Sequence, residues 1–253
     1  MQRRFFVLVI VGLLVVLAGC VGGSGTSNTG GEPDNSATGD VTLVENRTAA
    51  LLDAGGYTST WEMKYTNEDE GTGSTTYTHA VDYENQRSSF EMQVTDQDEV
   101  TNAFTNFYVD GVSYVRYGEG DEATYSASES LFTPENTMFP VESTITSASD
   151  LTEFSAVGTE TYDGITVTRY ERTDQPDWIA PQATGTEFTW TEFTYVVLVD
   201  TDGLVRYENW SGEGVDEAGT ETTMTFSYSL TGVGSTVIED PNWLTIADAQ
   251  TNE

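Results

Sequence analysis

The chain has 253 residues and a formal net charge of −33, with 42 acidic side chains against 9 basic ones. A surface of that sign repels nucleic acid and anionic headgroups alike. A single histidine and a single cysteine leave no material for a two-histidine metal site or a disulfide within the chain.

Arg3 and Arg4 precede an unbroken apolar run from Phe5 to Leu17, and Leu17-Ala18-Gly19-Cys20 closes it. This is the layout of a secretory signal peptide, with an apolar core shorter than the roughly 20 residues that cross a bilayer. The small Ala18-Gly19 pair gives a peptidase access to the backbone, and the Cys20 thiol is the nucleophile that a lipid transferase alkylates. The reading is a signal peptide over residues 1–19 and a lipidated Cys20 that holds the protein on the extracellular face of the cell membrane. An uncleaved anchor with an ordinary buried cysteine is the alternative. The arginine pair resembles the twin-arginine export motif but also opens ordinary signal peptides, so the export route stays open.

Removing residues 1–19 takes away two arginines and no acids, which moves the net charge from −33 to −35. Lysine occurs once, at Lys64, and the acids are spread over every segment. At molar salt the screening length shrinks to about 3 Å, and the self-repulsion that opposes compaction largely goes. The charge therefore reads as adaptation to concentrated salt, with an acidic calcium-binding surface protein in ordinary salt as the other possibility. Residues 20–40 are Gly, Ser, Thr and Asn with Pro33 and a few acids, a composition with nothing to bury that predicts a flexible tether. Residues 41–253 remain for a single β-rich domain.

Within that domain Val44, Thr48, Leu51 and Leu52 fall at helical spacing, and Gly55-Gly56 supply a stop, so a helix is predicted over 41–54. Antiparallel strands follow. Tyr57 to Thr66 alternates, with Tyr57, Trp61, Met63 and Tyr65 on one face; Thr75 to Glu84 puts Tyr77, His79, Val81 and Tyr83 together; Arg87 to Thr95 does the same with Phe90, Met92 and Val94. Asp110-Gly111 and Asp163-Gly164 mark hairpins joining 104–109 to 112–117 and 154–162 to 165–172. Asp202-Gly203 follows the most apolar strand, 193–199, and precedes 204–210. Strand 222–230 alternates through Met224, Phe226 and Tyr228, and 237–243 is predicted as a closing strand. Residues 128–145, with Pro134 and Pro140, predict a helix or helical loop packed across the sheet. Residues 174–187, with Pro176 and Pro181, predict a long loop.

The lipobox, the tether, one helix ending at Gly-Gly, the Trp61 strand, the "VDTDGLVRYENW" hairpin and the terminal "VIEDPNWL" together resemble the small haloarchaeal surface lipoproteins. More distantly the layout is similar to the LolA and LprG/LppX group of lipoprotein and lipid carriers. The resemblance implies a mainly β (α+β) fold, a curved antiparallel sheet forming a half-barrel with one or more helices against its concave face. In some members of that group an apolar cavity takes acyl chains.

On this reading the ligand-contacting candidates are Trp61, Met63, Tyr65, Phe90, Met92, Phe193, Met224 and Phe226. A core filled by these same side chains against Val44, Leu51 and Leu52 is the alternative. Asn46-Arg47-Thr48 and Asn209-Trp210-Ser211 fit the N-glycosylation sequon, which makes Asn46 and Asn209 candidate acceptors. His79 has a structural or surface role. Asn67 to Gly71 and Asp200 to Gly203 look like calcium loops but lack the spacing, and turn chemistry explains both. No catalytic residue, metal site or cofactor can be named. The predicted function is a membrane-tethered binding protein for a lipid or other hydrophobic ligand, not an enzyme. A structural or partner-binding envelope lipoprotein is the other candidate.

Overall fold

The computed structural model describes residues 42–68, 71–133, 142–175, 188–216 and 219–251. The predicted signal peptide, Cys20 and the predicted tether, residues 69–70, and residues 134–141 and 176–187 of the two proline-bearing segments lie outside the described residues.

Eleven antiparallel strands form one curved sheet that does not close. In chain order they are β1 (Gly56–Asn67), β2 (Gly71–Asp82), β3 (Arg87–Asp96), β4 (Glu99–Val109), β5 (Val112–Tyr117), β6 (Thr124–Glu129), β7 (Ser155–Tyr162), β8 (Ile165–Arg172), β9 (Phe188–Asp200), β10 (Val205–Asp216) and β11 (Glu221–Thr231). Their spatial order is β6-β5-β4-β3-β2-β1-β11-β10-β9-β8-β7. Two meanders thus meet where the first strand pairs with the last, Trp61 opposite Tyr228 and Met63 opposite Phe226. Because β6 and β7 are the two outer edges, the connection between them has to travel from one edge of the sheet to the other.

The turns follow from local chemistry. Asp110-Gly111 and Asp163-Gly164 have positive φ at both positions, 51° and 82° and then 48° and 78°, the backbone that a two-residue hairpin requires. Gln97-Asp98 makes the β3–β4 turn with φ of 49° and 65° and no glycine. At the β9–β10 turn the Asp200 carboxylate accepts from the backbone N–H groups of Asp202 and Leu204, both at 2.9 Å, and from Arg206 Nε at 2.6 Å. Gly203 there has φ of 81°, and a Cβ on it would lie 2.3 Å from Thr42 O. The incoming chain rests on this tip, with Val44 N donating to Gly203 O at 3.0 Å and Leu43 buried.

Helix α1 (Arg47–Ala54) is shorter than the helix predicted over 41–54, because Asn46 caps it by accepting from Ala49 N at 2.9 Å. Gly55 ends it in the left-handed region. Its buried Leu51 joins the main core on the face that carries Tyr57, Tyr228, Leu230, Trp210, Phe226 and Tyr195. Residues 237–243 do not form a strand. Pro241 offers no backbone donor, and the chain instead crosses the opposite face and turns into helix α2 (Leu244–Thr251). There Ile238, Trp243 and Ala247 cover Phe107, with Arg87 over the Phe107 ring at 5.4 Å and Arg116 over Trp243 at 5.8 Å. Helices therefore flank both faces of the sheet, α1 the main core and α2 the reverse.

Candidate functional site

Strand register fixes which side chains share the main-core face. On adjacent strands Phe193, Gly212 and Met224 lie in one line, Tyr195, Trp210, Phe226 and Met63 in the next, and Glu208, Tyr228, Trp61, Tyr77, Met92, Phe104 and Tyr117 in the one after. All eight ligand-contacting candidates fall on this face. Tyr65 pairs with Met224 on one side and with Gly73 on the other, and its ring occupies the space that a side chain at 73 would take. Trp190 does the same over Gly212.

The rings on this face touch in an unbroken row across eight adjacent strands, β9-β10-β11-β1-β2-β3-β4-β5. Phe193 stacks on Trp210 at 6.1 Å and Trp210 on Phe226 at 5.9 Å; Trp61 meets Phe226 and Tyr77 edge-on, both at 5.3 Å. Phe90 then follows at 6.1 Å from Tyr77, Phe104 at 6.0 Å from Phe90, and Tyr117 at 5.1 Å from Phe104. Offset and edge-on geometries of this kind add to the burial of the rings. Exposure changes along the row. Phe193, Trp210, Phe226 and, further along, Phe90 are buried, Trp61, Tyr77, Met63, Met92, Met224 and Phe104 are half-buried, and Tyr117 is 54 % exposed. The less buried part runs from β1 to β5, interrupted by Phe90 on β3, about 19 Å at a strand spacing of about 4.8 Å.

Next to the buried part lies a polar cluster. Glu208 on β10 is 0 % exposed, and its carboxylate takes donors from Ser143 Oγ at 2.7 Å, Thr144 N at 2.8 Å, Thr144 Oγ1 and Tyr195 OH. Burial is the main cause that pushes its carboxyl above the ordinary carboxylate range, and the hydrogen bonds from Thr144, Tyr195 and Ser143 oppose it. Burial, and then the neighbouring Glu208, raise the Tyr195 phenol as well. Across on β11 the Tyr228 phenol is pushed up to about 12 by burial, although Arg47 pulls it down. Arg47 Nη2 donates to Tyr228 OH at 2.6 Å, and Nη1 pairs with Glu142 at 3.4 Å.

Glu208 and Tyr195 were missed as candidates. Glu208 shares its phase of β10 with Arg206 and Gly212 as well as Trp210, while Val205 and Tyr207 hold the other phase, so no apolar alternation marks it as buried. His79 is buried with its ring 5.6 Å from that of Tyr57 and its Nδ1 3.4 Å from Tyr57 OH, a structural position. Among the described residues no group of three His, Cys, Asp or Glu side chains could hold a metal ion.

The fold and this face define a class: an open antiparallel sheet with one aromatic face, partly covered by a helix and a crossing loop. The chain belongs to a family described as a family of unknown function (DUF7537), which matches residues 4–247. No curated protein is found to match the sequence. Among solved structures the chain is similar to LprF from Mycobacterium bovis, at 12 % identity and a TM-score of 0.30, over 79 % of this chain and 98 % of that one. It is also similar to a LolA superfamily protein from Nitrosomonas europaea, at 8 % identity and a TM-score of 0.19, over 77 % and 95 % of the two chains. At these values the likeness does not extend to site residues.

Proposed function

We propose that the protein is a membrane-tethered carrier that holds the apolar chain of an amphiphile along the half-open row from Trp61 to Tyr117. The observation that supports this reading is the change of exposure along one continuous aromatic face: the rings of β9 to β11 are buried, whereas Trp61, Tyr77 and Phe104 on either side of the buried Phe90 are half-buried and Tyr117 is exposed. A purely structural row would be covered along its whole length, whereas Met63, Met92 and Met224 beside the open rings give it the adaptable lining of a binding surface. Cys20 carries the lipid anchor, residues 20–40 are the tether, and 41–253 act outside the membrane without enzymatic chemistry. A second reading, an envelope protein with a filled core that binds a partner, is favoured by one observation: Leu51, Tyr57 and Tyr228 fill the space under α1.

Of the two sequons, Asn46 is the better acceptor. It is exposed at the start of α1, and its side chain is engaged through Oδ1, which accepts from Ala49 N. Asn209 Nδ2 donates to Phe226 O at 2.9 Å on a central strand, so the nitrogen that would take the glycan is already bound.

One experiment addresses these proposals together. Native mass spectrometry of protein extracted from its own cells is expected to show a non-covalent apolar adduct, and peptide mapping a lipid on Cys20 and a glycan on Asn46. A stoichiometric protein partner with no small adduct would favour the second reading. Unmodified Cys20 would remove the anchor, and a glycan on Asn209 alone would reverse the choice of acceptor. Adaptation to concentrated salt is tested separately. The β-sheet circular dichroism is expected to collapse on dialysis from molar to millimolar potassium chloride, and a cooperative fold at low salt defeats that proposal.

A further inference from the structure

The connection from β6 to β7 has to cross the sheet, and its described part, Glu142–Phe154, lies on the main-core face over β9 and β10. Ile145 and Leu151 are buried there, and Phe154 meets Tyr195 edge-on at 4.9 Å. Under the strap lies Tyr195, which meets Phe193 edge-on and pairs with Trp210 at the buried end of the aromatic row, where Trp190 also stands against both of those rings. What holds it is not apolar packing alone. Three of the four donors to Glu208 come from Ser143 and Thr144, and Ser143 Oγ also takes the N–H of Ile145 at 3.0 Å. Glu142, one residue earlier, pairs with Arg47 of α1.

An apolar side chain of similar size at 208 would fill the same space without the cost of burying a carboxylate. A directional acceptor instead makes the contact all-or-none. Once Thr144 shifts, its backbone and hydroxyl bonds are lost together, and the strap has no intermediate seat.

We infer that the strap Glu142–Phe154 is a cover that lifts, that Glu208 is the catch holding it down, and that an apolar chain on the open row passes beneath it to Phe193 and Trp210. With the strap raised, Tyr195 at the buried end of the row is uncovered. With it lowered, the chain is held at the β1 to β5 end and its tip is enclosed. This inference rests on the carrier reading for the passenger, but not for the catch.

The test uses the full chain in molar salt, with two readouts. The variants are Glu208→Met, which removes the acceptor, Glu208→Gln, which keeps one oxygen for Thr144 N, and Thr144→Val, which removes one donor from the strap side. Hydrogen exchange over 142–147 is expected to speed by roughly tenfold or more in Glu208→Met, the scale of one charge-assisted hydrogen bond. Glu208→Gln should stay near wild type, Thr144→Val should fall between them, and β10 and β11 amides should not move. Uptake of cis-parinaric acid, followed by its fluorescence, should speed in the same order. Exchange that rises equally in the strap and in β10 and β11 gives Glu208 a merely structural role and overturns the catch, as does exchange that does not rise at all. If Glu208→Met fails to fold, Thr144→Val decides the matter by the same criterion. Faster strap exchange with unchanged uptake overturns the route beneath the strap. Failure of the wild type to bind the probe overturns the carrier reading and the route with it, while strap exchange still decides the catch.

Discussion

Phe226→Ala is expected to lower the stability of the folded chain by about 3–5 kcal/mol, the range for deleting a buried aromatic ring. Phe226 is 2 % exposed and wedged between Trp210, nearly parallel at 24°, and Trp61, edge-on at 5.3 Å. Both neighbours are flat, rigid rings on other strands, so neither can collapse into the space without leaving its own contacts. Against a total stability of about 5–15 kcal/mol this is a large fraction. The thermal midpoint in molar salt should fall on the order of 10 °C. Tyr117→Ala removes a ring from the far end of the same row, where the side chain is 54 % exposed, and should cost about 1 kcal/mol or less. The contrast between the two variants measures the passage from core to surface along the row. Equal costs at both ends would mean that the β5 end is packed as tightly as the centre, and the open half of the row would be lost as a binding surface.

Much of the sheet was legible because its strands alternate cleanly and its turns announce themselves. β8 is found where the Asp163-Gly164 hairpin puts it, 165–172. The face shared by Trp61, Met63, Phe90, Met92, Met224 and Phe226 is the one that register brings together. What stayed hidden has physical causes. β6, Thr124–Glu129, is an edge strand of Thr, Ser, Ala and one Tyr, and it lacks the apolar phase that marks a half-buried strand. The β3–β4 turn forms on Gln97-Asp98, whose left-handed backbone no glycine signals. Pairing of β1 with β11, at opposite ends of the domain, is non-local and leaves no trace in any short window. Its consequence, a connection that has to pass from β6 to β7, is met in the sequence only as the segment 128–145 predicted to pack across the sheet, whose Ile145 is buried in the main core. α2 has eight residues and is held by Trp243 and Ala247 against Phe107, so tertiary contact rather than propensity makes it. At the site the aromatic lining could be read from phase alone. The space under α1 is filled, as in the alternative of a core packed against Leu51, and the less buried stretch begins beyond it at Trp61. The Glu208 cluster escaped because its partners at 143 and 144 are distant in sequence.

Asp200→Ala is expected to cost about 3–5 kcal/mol, the scale for removing one partner of a buried ion pair. Asp200 is nearly inaccessible, and Arg206 beside it is 9 % exposed at its side chain. The substitution leaves the guanidinium buried with its Nε partner gone, and it also strips the acceptor from the backbone N–H groups of Asp202 and Leu204. Asp200→Asn keeps an oxygen for those two N–H groups and loses only the charge opposite Arg206, so it should cost less than the alanine. Adding Arg206→Met to Asp200→Ala should recover part of the loss, because the unpaired charge is then gone as well. Denaturant midpoints in molar salt should therefore fall in the order wild type, Asp200→Asn, double variant, Asp200→Ala. Salt cannot substitute for the lost partner at a site closed to solvent. The loss also reaches the start of the domain, since this turn presents Gly203 O to Val44 N and its tip supports Thr42 and Leu43. The Val44 amide should exchange faster in Asp200→Ala than amides of β3 and β4 do. If instead every amide shifts equally, the turn is only one part of the general fold and not the support on which the incoming chain is seated.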